Sequence, residues 1–168
     1  LEDHGSFALY KMRPDGSHKR PLSRTYSGRP SWSPDRKQVV MSGSCGLETC
    51  IFGMKVDGSG KRQLWEPERV DNHEPAWSPD GRSIAWIHAT ELWLMNPDGS
   101  QPRRLPPESP PETYDEAPSW SPDGSRLVFA TTRSPSGLAV INSNGSTLTP
   151  IGVGIVTRTA TPVWQSRS

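Results

Sequence analysis

The sequence predicts an all-β propeller of four-stranded antiparallel blades, built from about four repeats of roughly 44 residues. Three observations carry this reading. A tryptophan motif recurs at a near-constant interval, a second motif with a hairpin signature alternates with it, and the composition suits many thin layers better than one large core. Of 168 residues only 32% are hydrophobic, while 18 are proline, 15 glycine and seven tryptophan. A chain that poor in apolar residues is either partly disordered or divided into small units with many tight turns, and the strict repeat selects the second.

The first motif, Pro30-Ser31-Trp32-Ser33-Pro34-Asp35, returns as Pro75-Ala76-Trp77-Ser78-Pro79-Asp80-Gly81 and as Pro118-Ser119-Trp120-Ser121-Pro122-Asp123-Gly124. A decayed copy is Pro162-Val163-Trp164-Gln165-Ser166. The second motif ends in Asp15-Gly16-Ser17, Asp57-Gly58-Ser59, Asp98-Gly99-Ser100 and Asn144-Gly145-Ser146. Each unit then reads as four strands. The first carries the tryptophan and ends at Ser-Pro-Asp-Gly, where proline presets φ and glycine takes a positive φ. The second is Val39–Met41, Ile84–Ile87 or Leu127–Ala130, apolar on both faces as in a strand sandwiched between sheets. The third is of the Leu92-Trp93-Leu94-Met95 type, closed by Asp-Gly or Asn-Gly, the strongest short hairpin signal. The fourth is short and basic, as in Lys61–Leu64 or Arg103–Leu105, which suits an edge strand. No 3.6-residue periodicity appears, so no helix is expected.

The blades are expected at residues 26–66, 71–107 and 114–152, with a split blade formed by 7–24 and 160–168. That split unit lacks its second strand. The expectation is therefore a segment of a larger ring, or a chain completed by a second copy; the start at Leu1 rather than Met adds the expectation of a processed or excised product. The near-balance of 19 Lys and Arg against 18 Asp and Glu gives no reason to expect a nucleic-acid partner, and no apolar run is long enough for membrane insertion by a helix.

Cys45 and Cys50 admit two readings, a pair of buried thiols or a disulfide closing a hairpin tip eased by Gly46. The disulfide is preferred. It would contribute roughly 2 kcal/mol on the loop-entropy view and imply an oxidising, extracytoplasmic compartment.

The alternation of Pro-x-Trp-Ser-Pro-Asp-Gly with Leu-Trp-x-Met-x-x-Asp-Gly-Ser resembles the TolB-like β-propeller repeat, a WD40-like family, over nearly the whole chain. The departures are Arg36 in place of the turn glycine and Gln165-Ser166-Arg167 in place of Ser-Pro-Asp. The resemblance implies a fold shared by periplasmic Tol–Pal proteins and by propellers that gate prolyl-oligopeptidase-like and tricorn-like hydrolases.

The Asp-Gly turns repeat almost unchanged and read as structural; the ligand spacing of a calcium loop is absent. By contrast, the connections into each tryptophan strand vary, and variable loops on a repeated scaffold are where binding specificity resides. They are expected on one face with the connections between second and third strands. That face would carry Arg24, Tyr26 and Arg29, then Glu66, Glu68, Asp71, Asn72, His73 and Glu74, then Glu108, Glu112, Tyr114, Asp115 and Glu116, then Arg158. Of these, Tyr26, Arg29, Asp71, Asn72, His73, Glu74, Tyr114, Asp115, Glu116 and Arg158 are the partner-binding candidates, an acidic rim flanked by basic residues. His73 and His88, with Glu74 and Glu91, lack a third metal ligand, and there is no nucleophile elbow or triad pattern. The expectation is a non-catalytic scaffold without cofactor or metal that binds protein or peptide, in the periplasm or secreted. The rivals are the gating propeller of a hydrolase and a truncated or engineered propeller that self-assembles.

Overall fold

A computed structural model describes residues 8–24, 28–65, 70–105, 113–133, 136–153 and 162–164. Among these there is no helix, and so none able to cross a membrane. The described residues form fourteen strands in one two-stranded and three four-stranded sheets. The first sheet pairs β1 (Leu9–Lys11) with β2 (Arg20–Ser23). The second runs β3 (Ser31–Trp32), β4 (Gln38–Ser44), β5 (Thr49–Lys55), β6 (Arg62–Trp65). The third runs β7 (Asn72–Trp77), β8 (Ile84–His88), β9 (Glu91–Met95), β10 (Arg103–Arg104). The fourth runs β11 (Asp115–Trp120), β12 (Arg126–Thr131), β13 (Gly137–Asn142), β14 (Thr149–Val153). All pairings are antiparallel between sequence neighbours, the meander of a propeller blade. Strand β7 contacts both β3 and β11, which sets the first strands of successive blades side by side along the propeller axis.

The core lies in layers between blades. Leu9 and Leu22 pack on Val39, Met41, Phe52 and Met54. Val40, Ile51 and Leu64 meet Trp77, Ile84, Trp86 and Met95, and Ala85, Ile87, Leu92, Leu94 and Leu105 meet Leu127, Phe129, Ala139 and Ile141. Each central strand therefore buries both faces, which is why its sequence shows no polar alternation.

The repeated motifs are turn chemistry. In Ser-Pro-Asp, the serine hydroxyl donates to the aspartate two residues on, at 2.6 Å for Ser33, Ser78 and Ser121. The same oxygen accepts the backbone N–H five residues on, from Gln38, Ser83 and Arg126, each at 2.9 Å. The serine thus ties the end of the first strand to the start of the second. Glycine follows at φ 73° in Gly81 and 70° in Gly124, and Arg36 occupies the same conformation at φ 58°.

A second device joins neighbouring blades. Arg20 donates to the carbonyls of Val56 and Asp57, and Arg62 to those of Pro97 and Asp98. Arg103 donates to the carbonyl of Ser143. The first arginine of each fourth strand thus grips the Asp-Gly or Asn-Gly turn of the next blade. Gly99 sits so close to Leu64 that a Cβ would lie 2.2 Å from the Leu64 carbonyl oxygen.

One sequence expectation changes. Residues 72–74 and 115–116, read from their polarity as connections, lie inside β7 and β11. Each of these strands carries a bulge, between His73 and Ala76 and between Glu116 and Ser119, with positive φ at Glu74 (54°) and Ala117 (52°).

Candidate functional site: the loop face and the mouth of the axial channel

The entries to β7 and β11 and the hairpins joining second to third strands are bonded together on one face. The Thr49 N–H donates to the Asp71 carboxylate at 3.0 Å, and the Ala89 N–H donates to the Asp71 carbonyl at 2.8 Å. The Asp115 N–H donates to the Thr90 carbonyl at 2.7 Å, and the Thr132 N–H to the Tyr114 carbonyl at 3.0 Å. A segment of one blade therefore fixes the loop of its neighbour.

Beneath this face lie two buried polar struts. The Asn72 amide donates to the carbonyls of Thr49 and Val70, and its oxygen accepts the Trp86 indole N–H at 3.1 Å, with His88 Nδ1 at 2.9 Å. Asp115 accepts from the Thr131 hydroxyl at 2.8 Å and from the Leu92 N–H at 3.3 Å, and forms an ion pair with Arg133 at 2.8 Å. Both struts cross a blade junction, since Thr49 and Leu92 belong to the preceding blade. Asn72 and Asp115, expected on the rim, are instead buried and hydrogen-bonded inside the fold, where they act as internal supports.

The bulges of β7 and β11 meet across the junction between the two strands. Glu74 accepts a hydrogen bond from the Ala117 N–H and has His73 Nδ1 at 3.9 Å. The adjacent His73 ring holds its carboxyl below the ordinary range, helped by the Ala117 N–H and the Arg29 charge and opposed by burial. Arg29, Glu74, Pro75, Ala117, Pro118, Ser119, Pro162 and Val163 line a recess of about 180 Å³. A second recess of about 460 Å³ is lined by Trp32, Trp77 and Trp120 with Pro34, Pro79 and Pro122. The indole N–H groups of Trp120 and Trp164 donate to Ala76 and Ser119 carbonyls, both at 3.0 Å, so these two tryptophans tie their segments to the inner strand before.

Of the remaining candidates, Arg29, Asp71 and Tyr114 are exposed, and His73 and Glu116 half-buried. Tyr26 and Arg158 lie outside the described residues, as do Glu66, Glu68, Glu108 and Glu112. The structure brings Arg29, His73 and Glu74 together and leaves Tyr114 and Asp71 on the surrounding face. His73 and His88 do not share a site: His88 engages Asn72 and packs against Trp93 with ring centres 5.0 Å apart, while Glu91 pairs with Arg104 at 3.1 Å. Among the described residues, no three His, Cys, Asp or Glu side chains gather as metal ligands would.

Sequence reasoning missed Leu47, fully exposed at the tip of the β4–β5 hairpin. A disulfide between Cys45 and Cys50, with Cα atoms 5.8 Å apart, closes that tip. A leucine inside a cysteine-closed turn was the available signal. Arg133 was missed too, and nothing in the local pattern marks it.

The meandering blades, the axis lined by first strands and the bonded loop face define a repeat β-propeller. The chain belongs to the TolB beta propeller domain family, which it matches over residues 1–167. It is 36% identical over 107 residues to the Tol-Pal system protein TolB of Anaeromyxobacter dehalogenans, covering 60% of this chain and 24% of that protein. It is 28% identical over 105 residues to a protein of Streptomyces coelicolor assigned as tricorn protease homolog 2, covering 55% of this chain and 9% of that one. The TolB structure from Acinetobacter baumannii superposes with a TM-score of 0.69 at 17% identity, over 84% of this chain and 36% of that one, which shows likeness of fold. The chain spans about a quarter of the length of the TolB relative and less of the other.

Proposed function

We propose that this chain is a non-catalytic propeller scaffold that binds a protein or peptide through its loop face, in an extracytoplasmic compartment. The observation that carries this reading is the division of labour beneath that face. Asn72 and Asp115 hold the loops rigidly from inside, while Arg29 and Glu74 line a recess beside them, with His73 next to Glu74. Leu47, Asp71 and Tyr114 are exposed and Glu116 half-buried, an apolar anchor and an aromatic together with carboxylates. Rigid presentation of a few anchors lowers the ordering cost of association. With Asp115 neutralised by Arg133, the acidic rim narrows to Asp71, Glu74 and Glu116, which suits a partner of basic or mixed charge. Membership of the TolB family supports the reading, because its relative is named as a component of the Tol-Pal system. The disulfide supports the compartment.

The test uses the chain as bait against an extract of extracytoplasmic proteins, beside the variants Leu47→Asp, Tyr114→Ala and Glu116→Lys. Captured proteins should be lost from all three variants while the unfolding midpoints stay close to wild type. Retention of the same proteins by all three would defeat the proposal.

A further inference from the structure

At the end of β5 away from the loop face, the β3–β6 blade carries a recess of about 510 Å³. Gln38, Gly53, Met54, Lys55, Gly60 and Arg62 line it. Gln38 pairs with Lys55, and Gly53 with Arg62, across the strands, so these four share one face of the sheet. That face is turned to the β7–β10 blade. Leu94, at the position of Gly53 in the motif, is buried against the blade that follows it, and Arg62 reaches forward to the Asp98 turn. The two sheets on either side of this junction each hold four strands.

The repeat shows what is particular to this blade. Gly53 stands where the other units have Lys11, Leu94 and Val140. Gly60 stands where they have His18, Gln101 and Thr147, and all four of these turn residues have φ between 53° and 64°. A Cβ added at Gly60 would meet Lys55 Cγ at 4.0 Å, an ordinary contact, so a side chain has room there. Lys55 takes the place of Asn96 and Asn142, whose amides donate to the Ser100 and Ser146 hydroxyls at 2.8 and 2.9 Å. In this blade alone, two side chains are withdrawn and an ammonium replaces an amide already engaged by its own turn.

The charges around the recess are not equivalent. Asp35 serves its own turn, accepting from the Ser33 hydroxyl at 2.6 Å and the Lys37 N–H at 3.0 Å, and Asp57 accepts the Ser59 N–H at 2.8 Å. Arg62 donates to the Asp98 and Pro97 carbonyls. Among the described residues, the ammonium groups of Lys37 and Lys55 have neither a hydrogen bond nor an ion pair. Three cations against two carboxylates leave the lining with one positive charge in excess.

We propose that this recess binds a small amphipathic monoanion, a carboxylate on a short apolar body. Lys37 and Lys55 take the carboxylate, while Met54, Val56 and the lysine stems cover the apolar part. A single excess positive charge matches a single negative one and gives no advantage to a doubly charged phosphate. The site lies apart from the loop face and does not depend on what binds there.

An amide NMR titration of the chain with hexanoate tests this, read at Gly53 and Gly60. Hexanoate should give saturable shifts at both. Acetate has the head without the body, hexylammonium the body with the opposite charge, and inorganic phosphate a second negative charge; each should bind at least about tenfold more weakly. Gly60→Gln and Lys55→Asn install residues that other blades already carry at these positions, and each should weaken hexanoate at least about tenfold. Unchanged amide signals from the β11–β14 blade show that both variants are folded. Absence of saturable shifts in wild type would overturn the proposal, as would an equal response to acetate, hexylammonium or phosphate, or wild-type affinity in either variant.

Discussion

Replacing Asp115 by alanine removes the acceptor of four donors at once. The Thr131 hydroxyl, two nitrogens of the Arg133 guanidinium and the Leu92 N–H all point at its two oxygens. The pair is almost fully enclosed, so the variant removes the carboxylate from beside a buried guanidinium and the acceptor from a buried backbone donor. Breaking a buried pair from one side costs about 3–5 kcal/mol, because the guanidinium gives up its carboxylate counter-charge without regaining water. The adjacent Glu116 is half-buried, with no strut role in the structure, and its truncation should cost no more than about 0.5 kcal/mol. Urea unfolding followed by tryptophan fluorescence separates the two: the Asp115→Ala midpoint should fall steeply and the Glu116→Ala midpoint barely move. The double variant Asp115→Ala/Arg133→Ala should be less destabilised than the sum of the single ones, since the two side chains share one ion pair. Equal midpoints for Asp115→Ala and Glu116→Ala would refute the strut and restore Asp115 to the binding rim.

Three further outcomes follow from the turns and junctions. Arg36→Gly should stabilise the chain by about 1 kcal/mol, because Arg36 holds φ 58° at the turn position where Gly81 and Gly124 serve elsewhere; a raised urea midpoint with unchanged slope checks it. Gly99→Ala should be more destabilising than Gly16→Ala by about 1–3 kcal/mol. Both residues have positive φ, but only at Gly99 would the new carbon strike the backbone of Leu64, and comparison of the two midpoints reads the difference. In the third turn, the Ser121 hydroxyl, with the N–H and hydroxyl of Ser125, lowers the Asp123 carboxyl to about 2. A depressed carboxyl stabilises the fold above its unfolded value near 3.9 and loses that contribution as pH falls toward 2. Ser121→Ala should move the Asp123 titration upward, as followed by NMR of the carboxyl carbon.

The fold was legible because turn chemistry is local. Serine, proline, aspartate and glycine at fixed offsets close a turn through bonds spanning no more than five residues, so their repetition shows directly in the chain. The junction arginines follow the same rule, five residues after each turn aspartate, although what they reach is 35 residues or more away. The site was only half legible. Polar residues before Pro75 and Pro118 read as loop, but whether a polar side chain faces water or a neighbouring blade depends on a contact 16 to 23 residues distant. One repeat signal was present: Asn72 and Asp115 each stand five residues before a motif tryptophan, Trp77 and Trp120. An amide or carboxylate kept in register with the core motif is better explained by the scaffold than by a variable rim. Glu74 reaches the recess it shares with Arg29 through bulge geometry that has no sequence signature.

Hydrogen exchange on the chain with and without a captured partner tests the loop-face reading most directly. Protection is expected at Cys45–Thr49, at Asp71–Glu74 and at Thr113–Glu116, with the Asp-Gly turns at 57–60 and 98–101 on the opposite end unchanged. Protection confined to those turns, with the loop face exchanging as in the free chain, would contradict it.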